Sequence, residues 1–210
     1  MKYIYELIGT FFLVLTIGMT VLNPDGSGLL APLAIGSALA VMVFAGAHVS
    51  GGHYNPAVSL AVYVRGKLSV KDLGAYWLAQ IIGAIIAAWA VIYLKGTSQA
   101  FPLYFDVWKV FLAEFIFTFA LCYVVLNTAY SKATKGNSYY GFAIGFTVLA
   151  GAYAVGPISG GAFNPAVALG ITILNMSFWT NFWVFLFANL IGGICSALVF
   201  KAAHTTHSEK

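Results

Sequence analysis

Charged side chains are scarce in this sequence: among 210 residues there are 10 Lys and Arg and 6 Asp and Glu, 8% in all, where a soluble domain carries about 25%. That scarcity excludes a mainly water-facing surface, and with 61% hydrophobic residues most of the chain must face lipid. No Asp, Glu, Lys or Arg occurs between Lys135 and Lys201, a stretch far longer than the ~20 residues of one membrane crossing, so it crosses more than once. Cysteine is nearly absent, and Cys122 and Cys195, each inside an apolar segment, make neither a disulfide framework nor a metal set. The net charge of +4 comes from basic residues scattered singly rather than in a stripe, which argues against a nucleic-acid partner. The first apolar run contains Glu6 and no small-residue cleavage site follows it, so it reads as a retained helix and not a signal peptide. A nucleophile with its base, a metal-ligand cluster and an acidic pair are likewise missing, which makes an enzyme the least favoured reading and leaves no cofactor or metal to expect.

What is present is a duplication. Asn55-Pro56-Ala57 and Asn164-Pro165-Ala166 lie inside two similar stretches, SGGHYNPAVSLAV and SGGAFNPAVALGI, beginning at Ser50 and Ser159. Glu6-x-x-x-Thr10-Phe11 matches Glu114-x-x-x-Thr118-Phe119, and Gln80-x-x-Gly83 matches Asn189-x-x-Gly192. The chain therefore divides into repeats 1–100 and 101–210. Apolar runs bounded by charge, Gly or Pro predict six spans, at 3–22, 31–48, 73–94, 108–129, 139–156 and 178–200. Two shorter apolar pieces, 55–64 and 164–174, amount to about 15 Å of helix, half of a ~30 Å hydrocarbon core. Asn as cap, Pro in the first turn and the lack of a polar face favour half-helices dipping into the membrane over amphipathic helices lying on it.

Three spans per repeat is an odd number, so the second repeat runs through the membrane in the opposite sense to the first. The expected fold is thus an all-α membrane protein with six transmembrane helices and two re-entrant half-helices in an inverted repeat, together one channel domain. Lys2, Arg65, Lys67, Lys71, Lys132, Lys135, Lys201 and Lys210 fall on one side and Lys95 and Lys109 on the other, which puts both termini in the cytoplasm. Inversion brings Asn55 and Asn164 together near the midplane at two positive helix ends. Cations are repelled there, while a neutral molecule can accept hydrogen bonds from the Asn amides. Pro56 and Pro165 fix the start of each half-helix, and the small Ala57 and Ala166 allow close approach of the two caps.

On these residues the sequence resembles the aquaporin and glycerol-facilitator family over nearly its whole length. The resemblance implies passive, channel-type permeation of water and small neutral solutes, and a homotetramer in membrane lipid with one pore in each subunit. It also implies that Glu6 and Glu114 hold the two re-entrant loops by accepting backbone hydrogen bonds, a proton relay being the sharper alternative, and that His48 lines the cytoplasmic half of the pore. For His48 and still more for His53, packing within the loop is the plainer alternative. No second His set accompanies them, so a metal site is not expected.

One departure stands out. Water-selective members carry Arg after the second Asn-Pro-Ala, and glycerol facilitators carry Arg-Asp; this chain has Val167-Ala168. Alignment of the similar segments gives a filter of Ile35, Ala152, Gly161 and Val167, an apolar ring wider than that of a strict water channel and without its fixed positive charge. Glycerol, urea, ammonia and hydrogen peroxide are then candidate solutes beside water, unless Tyr153, Phe163 or Tyr54 narrows the lumen. Two rivals from other classes remain: an ion-coupled secondary transporter, since inverted repeats with broken helices also build those, and a structural membrane protein with a closed pore. Minimal loops and the short polar tail, Ala202 to Lys210, point to a prokaryotic inner (plasma) membrane.

Overall fold

The computed structural model of the chain describes residues 1–22, 28–97 and 106–205, and among these no β-strand occurs. Eight α-helices follow in order: α1 Lys2–Val21, α2 Ala31–Ser50, α3 Pro56–Val64, α4 Val70–Lys95, α5 Val107–Ala129, α6 Tyr140–Ser159, α7 Pro165–Ile173 and α8 Phe182–Thr205. All but α3 and α7 are long and apolar enough to cross a membrane. Those two have 9 residues each and cross only part of it.

Several boundaries differ from the sequence reading, each for a local reason. Helix α4 starts at Val70 because the Ser69 hydroxyl accepts from the Asp72 backbone N–H at 3.0 Å, a cap that the apolar run alone does not show. Helices α2 and α6 run on to Ser50 and Ser159, and in α6 the helix continues past Pro157. Both stop where a glycine, Gly51 at φ 89° or Gly160 at φ 87°, takes the left-handed conformation and its N–H closes the last turn. Helix α8 starts later than expected, at Phe182, behind a single tight turn at Trp179–Asn181.

The two halves pack alike. Helix α4 crosses α1 where a Cβ on Gly83 would lie 2.5 Å from the Leu7 carbonyl, and α8 crosses α5 where one on Gly192 would lie 2.8 Å from the Phe115 carbonyl. Small residues at such crossings let backbones touch, and dispersion between them then holds helices together where lipid offers no hydrophobic drive. Outward faces are apolar: Ile8, Phe12, Trp89, Phe142 and Phe187 are exposed. The amphipathic Tyr93 and Trp108 sit near helix ends, as at a membrane interface. Half-helices α3 and α7 fill the centre, and their N-termini meet there.

Candidate functional site

Each half-helix is capped by its own asparagine. Asn55 Oδ1 accepts from the N–H of Ala57 at 2.8 Å, and Asn164 Oδ1 accepts from Ala166 at 2.9 Å and Val167 at 3.4 Å. The amide nitrogens then reach across the junction: Asn55 Nδ2 donates to the Phe163 carbonyl and Asn164 Nδ2 to the Tyr54 carbonyl, both at 2.9 Å. To present those carbonyls, Tyr54 and Phe163 adopt φ of 50° and 48°, a left-handed conformation that costs a side-chain-bearing residue about 1–2 kcal/mol.

Two buried carboxylates hold the strained loops. Glu6 Oε1 accepts from the Ser50 hydroxyl at 2.7 Å and the His53 N–H at 2.9 Å, and Oε2 accepts from the Tyr54 N–H at 2.6 Å and Gln80 Nε2 at 2.8 Å. Glu114 repeats the grip: Oε1 on the Ser159 hydroxyl at 2.7 Å and the Ala162 N–H at 3.0 Å, Oε2 on the Phe163 N–H at 2.7 Å. A trans peptide points its C=O opposite to its N–H, so anchoring the N–H groups of residues 53, 54, 162 and 163 turns the carbonyls of Gly52, His53, Gly161 and Ala162 the other way. Among the described residues none of these four carbonyls receives a hydrogen bond.

The four residues that carry them line a cavity of about 610 Å³. Gly52, His53, Asn55, Gly161, Ala162 and Asn164 form its polar wall, and Leu13, Leu39, Val58, Leu121, Val148 and Ile171 are among its apolar residues. Ile35, Ala152, Gly161 and Val167 all border it, and among the described residues no Asp, Glu, Lys or Arg does. Tyr54 and Phe163 do not, each being only 1% exposed. Tyr153 does border it, and its hydroxyl donates to the Leu29 carbonyl at 2.8 Å.

Residues 1–200 match the major intrinsic protein family. The chain belongs to that family. Among its relatives, aquaporin TIP1-2 of Musa acuminata is 37% identical over 90% of this chain and 79% of its own length. Aquaporin NIP1-1 of Zea mays is 31% identical over 98% of this chain and 76% of its own. The solved aquaglyceroporin of Plasmodium falciparum shares the fold with a TM-score of 0.79, at 24% identity, over 95% of this chain and 94% of that one. As a major intrinsic protein the chain is an integral, multi-pass membrane channel of the kind that passes water and small solutes. The two relatives named are plant proteins and give no support to a prokaryotic inner membrane.

In this major intrinsic protein the two histidines have different surroundings. His48 is exposed, stands edge-on to Tyr5 at 6.2 Å between ring centroids, and is not among the cavity's lining residues. His53 lines the cavity, with Nδ1 3.0 Å from the Ser59 hydroxyl and Nε2 2.7 Å from the Tyr130 hydroxyl. Gln80 Nε2 links Ser59 to Glu6. Reading the sequence had assigned nothing to Ser59 or Tyr130; the one signal available was that His53 and Ser59 answer to Ala162 and Ala168 in the second repeat. Among the described residues no group of three His, Cys, Asp or Glu could hold a metal ion.

Proposed function

We propose that this protein is a passive channel for water and small uncharged solutes, with glycerol, urea, ammonia and hydrogen peroxide as candidates. The observation that carries the reading is the lining of the cavity: loop residues with unbonded carbonyls and two asparagine amides beside many apolar side chains and, among the described residues, no charged side chain. Ile35, Ala152, Gly161 and Val167 form the selectivity ring. A solute moving along this lining exchanges water for carbonyl acceptors without meeting a fixed charge among the described residues.

Rejection of ions falls to the asparagines. The N-termini of α3 and α7 converge on them, and two positive dipole ends repel a cation or a hydrated proton in a low-dielectric interior; this is the principle attributed to aquaporin-type pores. Glu6 and Glu114 act as loop anchors, since their oxygens are occupied by loop donors. In this account repeats 1–100 and 101–210 form one pore, their boundary lying outside the described residues. Four copies assemble as a homotetramer, and both termini face the cytoplasm by the excess of Lys and Arg on that side.

The test is reconstitution of the full chain into liposomes with stopped-flow recording of osmotic water flux and of glycerol and urea uptake. Linear, ion-independent solute flux supports the channel. Saturable flux that requires an ion gradient means a coupled transporter, and inserted protein conducting neither water nor any solute means a closed pore.

A further inference from the structure

We propose that Arg65 is the anion-binding residue of a site for a phospholipid headgroup, where the outer end of α3 meets the end of α8. Arg65, Phe200, His204 and Ser131, the residues that build it, do not line the cavity. The site is therefore independent of what the pore passes.

Arg65 is the sole arginine of the chain. It ends the half-helix α3, its backbone N–H closing the last turn on the Ala61 carbonyl at 2.9 Å. Its guanidinium lies over the Phe200 ring of α8, 5.1 Å from the centroid, and the same ring stacks on His204 at 3.8 Å. His204 is held in turn, with Nδ1 2.9 Å from the Phe200 carbonyl oxygen and Nε2 3.3 Å from the Ser131 hydroxyl, in the segment between α5 and α6. A guanidinium stacked in this way has little freedom left to lose, so its planar fork is pre-organised for a carboxylate or a phosphate.

Among the described residues that fork has neither a hydrogen-bond acceptor nor an ion-pair partner. Its Nε is buried and unbonded, and the residue is part-exposed, so the Nη groups are the ones that reach the surface. The described carboxylates are engaged elsewhere: Glu6 and Glu114 hold the pore loops, Asp72 pairs with Lys2 at 2.8 Å and Asp106 with Lys109 at 3.5 Å. Asp25 and Glu209 lie outside the described residues. A part-buried guanidinium that has given up hydration recovers it only from an acceptor, and two oxygens of a phosphate match its two Nη groups. Lys67 and Lys132, both exposed, add positive charge beside it in sequence and beside Ser131. The supply of phosphate is a lipid rather than the aqueous phase because Leu198 and Val199, immediately before Phe200, are exposed and apolar. Hydrocarbon thus reaches the edge of the site, and anionic headgroups are concentrated where basic residues border a bilayer.

The test is titration of the full chain in detergent with dioctanoyl phosphatidic acid, bound lipid being counted by native mass spectrometry. Dioctanoyl phosphatidylcholine, whose phosphate is neutralised by its own ammonium, and glycerol 3-phosphate, which lacks acyl chains, are the comparison probes. Phosphatidic acid should bind the wild type roughly tenfold or more tightly than either, and Arg65→Gln should weaken it by roughly tenfold or more, the loss of a charge-assisted pair of hydrogen bonds. Arg65→Lys keeps the charge but not the fork, so it should still weaken binding by roughly threefold or more, and it serves alone if Arg65→Gln does not fold. Lys71→Gln, which removes an exposed charge from α4, should leave affinity within about twofold at physiological ionic strength, where exposed charges are screened. Equal weakening by Arg65→Gln and Lys71→Gln, with Arg65→Lys normal, means diffuse attraction to a basic face and overturns the site. Glycerol 3-phosphate binding as tightly as the lipid, and lost in Arg65→Gln, assigns the site to a soluble phosphate ester and overturns the lipid. Failure of the wild type to bind any of the three overturns the proposal outright, and each of these outcomes leaves the channel reading standing.

Discussion

Asn55 and Asn164 each cap their own half-helix and bond the carbonyl just before the other: Asn55 Nδ2 to Phe163 and Asn164 Nδ2 to Tyr54, both at 2.9 Å. Removing either amide should lose a helix cap, about 1 kcal/mol, and leave a buried carbonyl unpaired, a further ~1–3 kcal/mol. Asn55→Ala and Asn164→Ala are expected to lower the apparent melting temperature of the detergent-solubilised protein. The double variant should lose less than the sum, because the two share one junction. Strict additivity would mean that the cross-brace contributes no coupling.

The glutamates should be unequal. Glu6 accepts four hydrogen bonds and Glu114 three, and Gln in either place turns an amide donor toward a loop donor. Each lost bond to a charged group is worth ~1.5–3 kcal/mol. Glu6→Gln is expected to reduce both stability and water flux more than Glu114→Gln does, as read by melting and by liposome shrinkage. If Glu6→Gln conducts normally, the carboxylate is not what holds the first loop.

Glycines at the helix crossings offer a control within one helix. Gly83→Ala and Gly192→Ala would press a Cβ into the Leu7 and Phe115 carbonyls, whereas a Cβ on Gly74 meets nothing within 4 Å. The first two should destabilise by about 1–3 kcal/mol, while Gly74→Ala should be neutral or gain up to about 1 kcal/mol from helix propensity. Comparable losses at Gly74 and Gly83 would argue against close backbone contact as the cause.

Much of this architecture can be read in the sequence because it was written twice. Duplication marks Asn55 and Asn164, Glu6 and Glu114, Gly83 and Gly192 without any structure, and length alone sorts six spans from two half-helices. Reading fails where the halves differ. Helix α2 is apolar nearly all round, so no polar face tells which way residue 48 points, and the sequence does not show that His53 meets the cavity. Tyr130 lies 77 positions from His53, and no local pattern announces such a partner. Nor does alternating polarity show that Tyr54 and Phe163 turn inward; that follows from their left-handed backbone and from room left by glycines, Gly9 beside Tyr54 and Gly151 beside Phe163.

The most direct test of the account is solute selectivity at position 167. Stopped-flow light scattering on proteoliposomes should show urea and glycerol entering the wild type well above the protein-free rate. In Val167→Arg both should fall by roughly tenfold or more while water flux persists, since a long cationic side chain narrows the ring and holds its own hydration. Wild-type liposomes that pass water but neither urea nor glycerol, or a Val167→Arg variant whose solute uptake is unchanged, would contradict the claim that Ile35, Ala152, Gly161 and Val167 form a wide apolar filter.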